Sequence, residues 1–215
     1  MPQPEKIYDI SPLISEDTAV YPGDVAYQRK IQCDLKKGDP FTLSSIQTTL
    51  HIGAHTDAPN HYSQNGEGMH ARGLHHYMGA CQVISVKLER GKRIFPKDFS
   101  SPISAERVLF KTLSFPDLHH WNSDYNSLSP ELIDFLAEKG VVLVGIDTPS
   151  VDPDDSKKLE SHQAIYRKNL AILEGITLKE VPDGLYTLIA LPLKLKDADA
   201  SPVRAVLMER SHNGF

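Results

Sequence analysis

Apolar residues in this chain fall into short runs separated by turn-forming residues. In the first third, the runs Ile7–Ile10, Gln28–Asp34 and Leu43–Leu50 are divided by Tyr21-Pro22-Gly23-Asp24 and Lys37-Gly38-Asp39-Pro40. Apolar stretches between clusters of glycine, proline and aspartate predict strands joined by loops. Two more strands are expected at Ala80–Leu88 and Arg107–Lys111, where valine, isoleucine and leucine recur between breakers.

A helix is marked from Ser129 onward. Ser129 can cap it, Pro130 sits where a first-turn proline is tolerated, Leu132, Ile133, Phe135 and Leu136 form an apolar stripe, and Gly140 ends it. Val141–Ile146 is continuously apolar and bounded by Gly140 and Asp147-Thr148-Pro149, which predicts a fully buried strand. A helix feeding a buried strand argues for an α/β layer. A second helix is expected over Ser161–Asn169, followed by the apolar run Leu170–Leu173 and the acidic Glu174. Leu185–Leu191 and Val203–Glu209 close the chain as strands, with Pro192 and Pro202 near their ends. No internal repeat divides the sequence. The pattern predicts a mixed, β-rich α/β fold in a single domain over 1–215.

Composition narrows the function. With 40% hydrophobic and 24% charged residues, the 215-residue chain is neither disordered nor rod-like. The net charge is -5 and the lysines and arginines are scattered, so a nucleic-acid surface has no electrostatic support. No apolar run approaches the roughly 18 residues that would span a membrane. Residues 1–6 lack the basic and apolar regions of a secretory leader. Only Cys33 and Cys81 are present, far apart, which suggests neither a disulfide framework nor a thiolate metal site. A reducing, cytoplasmic setting is expected.

The most informative segment is His51-Ile-Gly-Ala-His55-Thr-Asp57-Ala-Pro-Asn-His61. Imidazole and carboxylate are ligands for zinc or manganese. On a helix, His51 and His55 would share a face but Asp57 would point away from His55, and Gly53 and Pro59 oppose a helix. In an extended chain the four odd-numbered positions lean to one side. This differs from the helical HExxH arrangement of zincin peptidases. Three histidines and an aspartate on one face point to a metal site, although the spacing does not count the ions. The adjacent pairs His75-His76 and His119-His120 diverge on either backbone and read as loop or surface residues; His70 and His212 also read as non-ligands. Asp147 reads either as a carboxylate orienting a ligating histidine or as a strand-end turn residue.

The pattern His51-x-Gly53-x-His55-x-Asp57-x-Pro59-x-His61 resembles the HxGTHxDxPxH signature of the metal-dependent cyclase superfamily, with Ala54 where many members carry threonine. Further segments are similar to the bacterial kynurenine formamidases of that superfamily: Gly145–Asp152, Ser161-His162-Gln163, Asn169–Glu174, Leu191–Lys194 and Ala200–Arg204. The likeness runs over nearly the whole chain. It implies the swivelling β/β/α type of fold, a barrel-like sheet with flanking helices and the metal site at its mouth, and a homodimer.

The resemblance also implies two zinc ions, the first on His51, His55 and Asp57, the second on Asp57, His162 and Glu174. His61 becomes the acid/base residue and Tyr21 a contact for the substrate ring, although Tyr21 also reads as a turn tyrosine beside Pro22. Spacing alone reads His162 as a solvated helix-end histidine and Glu174 as a surface glutamate, since twelve residues place them on different faces of any one helix. The implied reaction is hydrolysis of N-formylkynurenine, a small-molecule aryl formamide. An isatin-type amide or lactam hydrolase using manganese, or a non-catalytic module with a closed structural zinc, are the alternatives. No GxSxG elbow supports a serine route.

Overall fold

The computed structural model describes residues 6–209; residues 1–5 and 210–215, hence most of the leader reading and His212, lie outside the described residues. Strand β1 (Ile7–Asp9) is followed by a hairpin of β2 (Gln28–Cys33) and β3 (Leu43–Gln47). Its turn is built as the Gly-Asp-Pro cluster suggests: the Asp34 side chain accepts the Lys36 N–H, and Gly38 takes a left-handed φ of 92°. Strand β4 (His55–Asp57), β5 (Met78–Ser85), the short β6 (Arg93–Ile94), β7 (Arg107–Lys111) and the short β8 (Ser127–Leu128) lead to helix α1 (Pro130–Glu138). Ser129 caps α1 by accepting the Leu132 N–H. Then come β9 (Leu143–Ile146), helix α2 (Glu160–Lys168), β10 (Ala171–Leu173), β11 (Gly184–Ile189), β12 (Ala200–Pro202) and β13 (Val206–Glu209).

Seven strands form one mixed sheet in the order β1-β13-β11-β5-β7-β9-β10, curled into a half-barrel. The first half is antiparallel; β5, β7, β9 and β10 run parallel. Strand alternation divides the interior in two. Ile84, Val108, Phe110, Val144, Ile146 and Ile172 face the helices, packing on Leu132, Ile133 and Leu136 of α1 and on Ala164 and Ile165 of α2. Val83, Leu109, Leu143, Ala171 and Leu173 face the opposite side, where Tyr8, Ile10, Ala54 and Tyr77 cover them. The parallel strands are therefore buried on both faces, as their continuous apolar runs predict.

The start of α2 departs from the expected pattern. Leu159 precedes it with a left-handed φ of 49° and contributes no side-chain cap. The carboxylate of Asp152 does so from a distance, accepting the N–H groups of Ser161 and His162 at 3.0 Å.

His76 also departs from its reading as a loop or surface residue. His75 is exposed, but His76 is 4% exposed and its ring shares a hydrogen bond with the Val142 carbonyl at 3.2 Å. Burial, with the Arg72 charge nearby, pushes its pKa from 6.5 down to about 4. The unfolded chain is then the better proton binder, so this stabilisation is present above about pH 6.5 and is lost as pH falls toward 4. The full span is roughly 2–3 kcal/mol. Urea unfolding at pH 7 and pH 4.5 should show a smaller pH-dependent loss for His76→Gln than for the parent; equal losses would exclude His76 as the cause.

Candidate metal centre

Close backbone approach builds the site. Gly175 has a φ of 64°, and a Cβ there would lie 2.1 Å from the Gly53 carbonyl oxygen. With only hydrogens in that space, the two segments draw together and His55 and Glu174 exchange backbone hydrogen bonds: His55 N–H to Glu174 O at 3.1 Å and Glu174 N–H to His55 O at 2.9 Å. On the other edge of β4, Ala200 pairs with Asp57 and Pro202 with His55.

Only His55–Asp57 of the histidine-rich segment is strand. Gly53 turns the chain with a φ of 57°, and His61 ends a 3-10 turn that Pro59 opens. A single pleat therefore does not gather His51, His55, Asp57 and His61; a strand flanked by two turns does. His51 Nδ1 lies 2.9 Å from Asp57 Oδ1, and the His51 and His61 rings are 4.3 Å apart. His55 Nε2 is 3.2 Å from Glu174 Oε2 and 3.6 Å from Asp57 Oδ1. From α2, His162 Nε2 approaches Asp57 Oδ2 at 3.3 Å and Glu174 Oε1 at 3.8 Å.

His162 and Glu174 are thus neither a solvated helix end nor a surface acid: they are 2% and 1% exposed. Glu174 lies beyond α2, just past β10, as the twelve-residue spacing requires. Two carboxylates not singled out from the sequence hold the histidines from behind. Asp152 Oδ2 meets His162 Nδ1 at 2.8 Å and Asp199 Oδ2 meets His51 Nε2 at 2.9 Å. Such outer carboxylates fix the ring orientation of metal-binding histidines. Both lie in or beside segments that carried the resemblance, which is the signal that could have found them.

The donor set fits a divalent cation. Among the described residues, His55 Nε2 is buried without a hydrogen-bond partner and Asp57 Oδ1 is met by His51 Nδ1 without a well-aligned hydrogen bond, a costly arrangement for a protein interior and a natural one for metal ligands. Donor atoms lie within 4.8 Å of one another in His51–Asp57–His61 and in His55–Asp57–Glu174, so Asp57 belongs to both groups. Burial would raise the Asp57 carboxyl, but His51, His162 and His55 hold it well below the usual carboxylate range. Burial opposes the charged form of His162 and His51, yet the surrounding carboxylates lift them to about 10 and about 9. The carboxylates thus set a negative potential at the imidazoles. Burial pushes His61 in the other direction, with His51 and His162 adding to the effect.

These residues line a cavity of about 300 Å³ that also includes Tyr21, Trp121 and Tyr125. Tyr21 is half-exposed and meets Trp121 edge-on at 5.5 Å. Trp121 is the chain's single tryptophan, and that rarity was the one signal of its place in the wall. Asp147 is not turned to a histidine: it accepts the N–H groups of Thr112 and Leu113 and the Thr112 hydroxyl, anchoring the loop that carries Trp121. His119 and His120 are exposed, and His70 accepts the Asp197 N–H at 3.0 Å.

Residues 8–153 match the family model for Cyclase. A protein from Bordetella petrii named kynurenine formamidase is 43% identical over 207 residues, covering 95% of this chain and 99% of that protein. A solved structure described as a predicted metal-dependent hydrolase from Bacillus stearothermophilus superposes with a TM-score of 0.82 at 27% identity, over 97% of this chain and 100% of that one. Isatin hydrolase A from Labrenzia aggregata shares the fold at a TM-score of 0.75 and 22% identity, over 95% of this chain and 93% of its own. With its signature segment, its sheet and its full-length relatives all in agreement, the chain belongs to the cyclase family.

Proposed function

We propose that this chain, one catalytic domain over 1–215, is a metal-dependent amidohydrolase that converts N-formyl-L-kynurenine and water to L-kynurenine and formate in tryptophan breakdown. The observation that carries this reading is the buried histidine–carboxylate cluster opening on an aromatic-walled cavity, in a chain 43% identical along nearly its whole length to a kynurenine formamidase. The isatin hydrolases share the fold at lower identity. A closed structural zinc fits poorly, because the cluster opens on a cavity of substrate size.

In this reading His51, His55, Asp57, His162 and Glu174 would hold two zinc ions, and Asp57 belongs to both donor groups. When bound there, the metal would supply Lewis acidity and a water made acidic enough to ionise near neutral pH. The chain's own groups do the rest. Tyr21 and Trp121 flank the aryl ring and orient the formamide toward the cluster. His61, on the exposed side of the cluster, takes a proton from the attacking water as its oxygen bonds to the formyl carbon. It returns that proton to the aniline nitrogen as the C–N bond breaks, leaving formate and the free amine. Asp199 and Asp152 keep His51 and His162 in orientation.

Stripping the metal with a chelator should abolish formation of kynurenine, followed by its absorbance, and zinc or manganese should restore it. A folded, metal-loaded protein that leaves N-formyl-L-kynurenine intact would overturn the assignment and favour an isatin-type hydrolase.

The protein also acts as a homodimer in this reading. The β2–β3 hairpin is exposed along its length and presents Ile31, Leu43 and Ile46 at 46%, 52% and 64% exposure, more apolar surface than an isolated arm would keep in water. Sedimentation at micromolar concentration should give twice the chain mass of 23.9 kDa; a single-chain mass would remove the dimer. Among the described residues no helix is long and apolar enough to cross a membrane. Free Cys33 and Cys81 suit a cytoplasmic location.

A further inference from the structure

Outside the buried cluster, the cavity has a charge pattern that the hydrolytic reaction does not use. Two carboxylates, Asp24 and Asp154, line it, and among the described residues no lysine or arginine does. Asp154 is half-buried, and its Oδ1 accepts the Trp121 indole N–H at 3.0 Å. Among the described residues its other oxygen has no hydrogen-bond partner. The acid is therefore tied to the residue that forms the ring wall, and it keeps a free lone pair and a negative charge beside that wall. Lys157 and Lys158, nearby in the chain, line an adjoining surface hollow with Arg93 and Glu160, which shares Pro153 and Ser156 with the cavity.

We propose that Asp154, with Asp24, binds the α-ammonium group of the substrate's amino-acid arm and so makes the enzyme selective for formanilides that carry a cationic arm. This rests on the formamidase reading and deepens it. A formylkynurenine molecule carries its reacting formamide on one ring carbon and its amino-acid arm, through a ketone, on the adjacent carbon. With the formamide beside the buried His55 and Asp57 and the ring against Trp121, the arm extends away from the cluster along the wall where Asp154 lies. An ammonium there meets a partly desolvated carboxylate with a free oxygen, which makes a charge-assisted hydrogen bond. Among the described residues the cavity lining offers no lysine or arginine to the substrate's own carboxylate, so selection acts on the amine.

The test compares four substrates with the parent enzyme and Asp154→Asn, which removes the charge but keeps a carbonyl oxygen for the indole. The substrates are N-formyl-L-kynurenine, its analogue without the α-carboxyl group, its analogue without the α-amino group, and formanilide. In the parent, the two amine-bearing substrates should share a low KM, and loss of the amine should raise KM about 10-fold. In Asp154→Asn, KM should rise about 10-fold for the amine-bearing pair only, with kcat within about twofold and formanilide hydrolysis unchanged. The fluorescence of the single Trp121 should stay close to the parent's, showing that the wall is intact. Adding Asp24→Asn should widen the effect on the amine-bearing pair. Equal changes for all four substrates, or an unchanged preference for the amine, would overturn the proposal. Hydrolysis of formanilide but not formylkynurenine by the parent would also overturn it, and cleavage of none of the four would instead remove the formamidase reading on which it rests.

Discussion

Replacing His61 with alanine should leave metal content at the parent level and lower kcat on N-formyl-L-kynurenine by about 10² to 10⁴, the usual contribution of an acid/base group. His61 stands on the exposed side of the cluster at the end of a 3-10 turn, its ring 4.3 Å from that of His51. It is the most exposed member of the histidine cluster and stands beside the buried donors, a suitable place to take a proton from water and return it to a leaving nitrogen. The buried members Asp57, His55, His162 and Glu174 remain in place in the variant, so metal should still bind. Metal analysis alongside steady-state kinetics separates the two roles. Loss of metal together with activity would make His61 a ligand, and full activity would remove it from the mechanism.

The opposite split is expected for Asp57. Its carboxylate lies 2.9 Å from His51, 3.3 Å from His162 and 3.6 Å from His55, and it is 2% exposed. Asp57→Ala removes the one carboxylate that all three imidazoles share, leaving Glu174 to meet only His55 and His162. Metal content and activity should then disappear together, with a loss in kcat/KM greater than about 10⁴. Removing one partner of a buried charge network also costs about 3–5 kcal/mol of stability. Asp57→Asn, nearly the same in shape, separates a metal defect from a folding defect: it should give a folded chain, by circular dichroism, that still lacks metal. Full metal content with more than about 1% of parent activity in the Asn variant would rule out a shared metal ligand at this position.

The two variants together address the chemistry, and the Asp154 variant addresses choice of substrate. The first two act where the sequence signature is dense. The third acts through a residue whose importance comes from its contact with Trp121, thirty-three positions away.

Local pattern was sufficient wherever a single segment makes its own structure. Ser129, Pro130 and the stripe through Leu136 specify α1 with their own cap and face, and the unbroken apolar run before Asp147 specifies β9, because burial on both faces of a parallel strand demands it. The density of histidine and aspartate from His51 to His61 likewise marked a metal site, because few other uses bring those side chains together. Only the tertiary structure decided what crosses between segments. Asp152 caps α2 and orients His162; Gly53 and Gly175 let His55 and Glu174 meet; and Asp199 reaches back to His51 from the other end of the chain. Each of these contacts depends on how two stretches of backbone approach one another. A periodic pattern reports which face of its own element a residue occupies and carries no record of which other element comes to meet it.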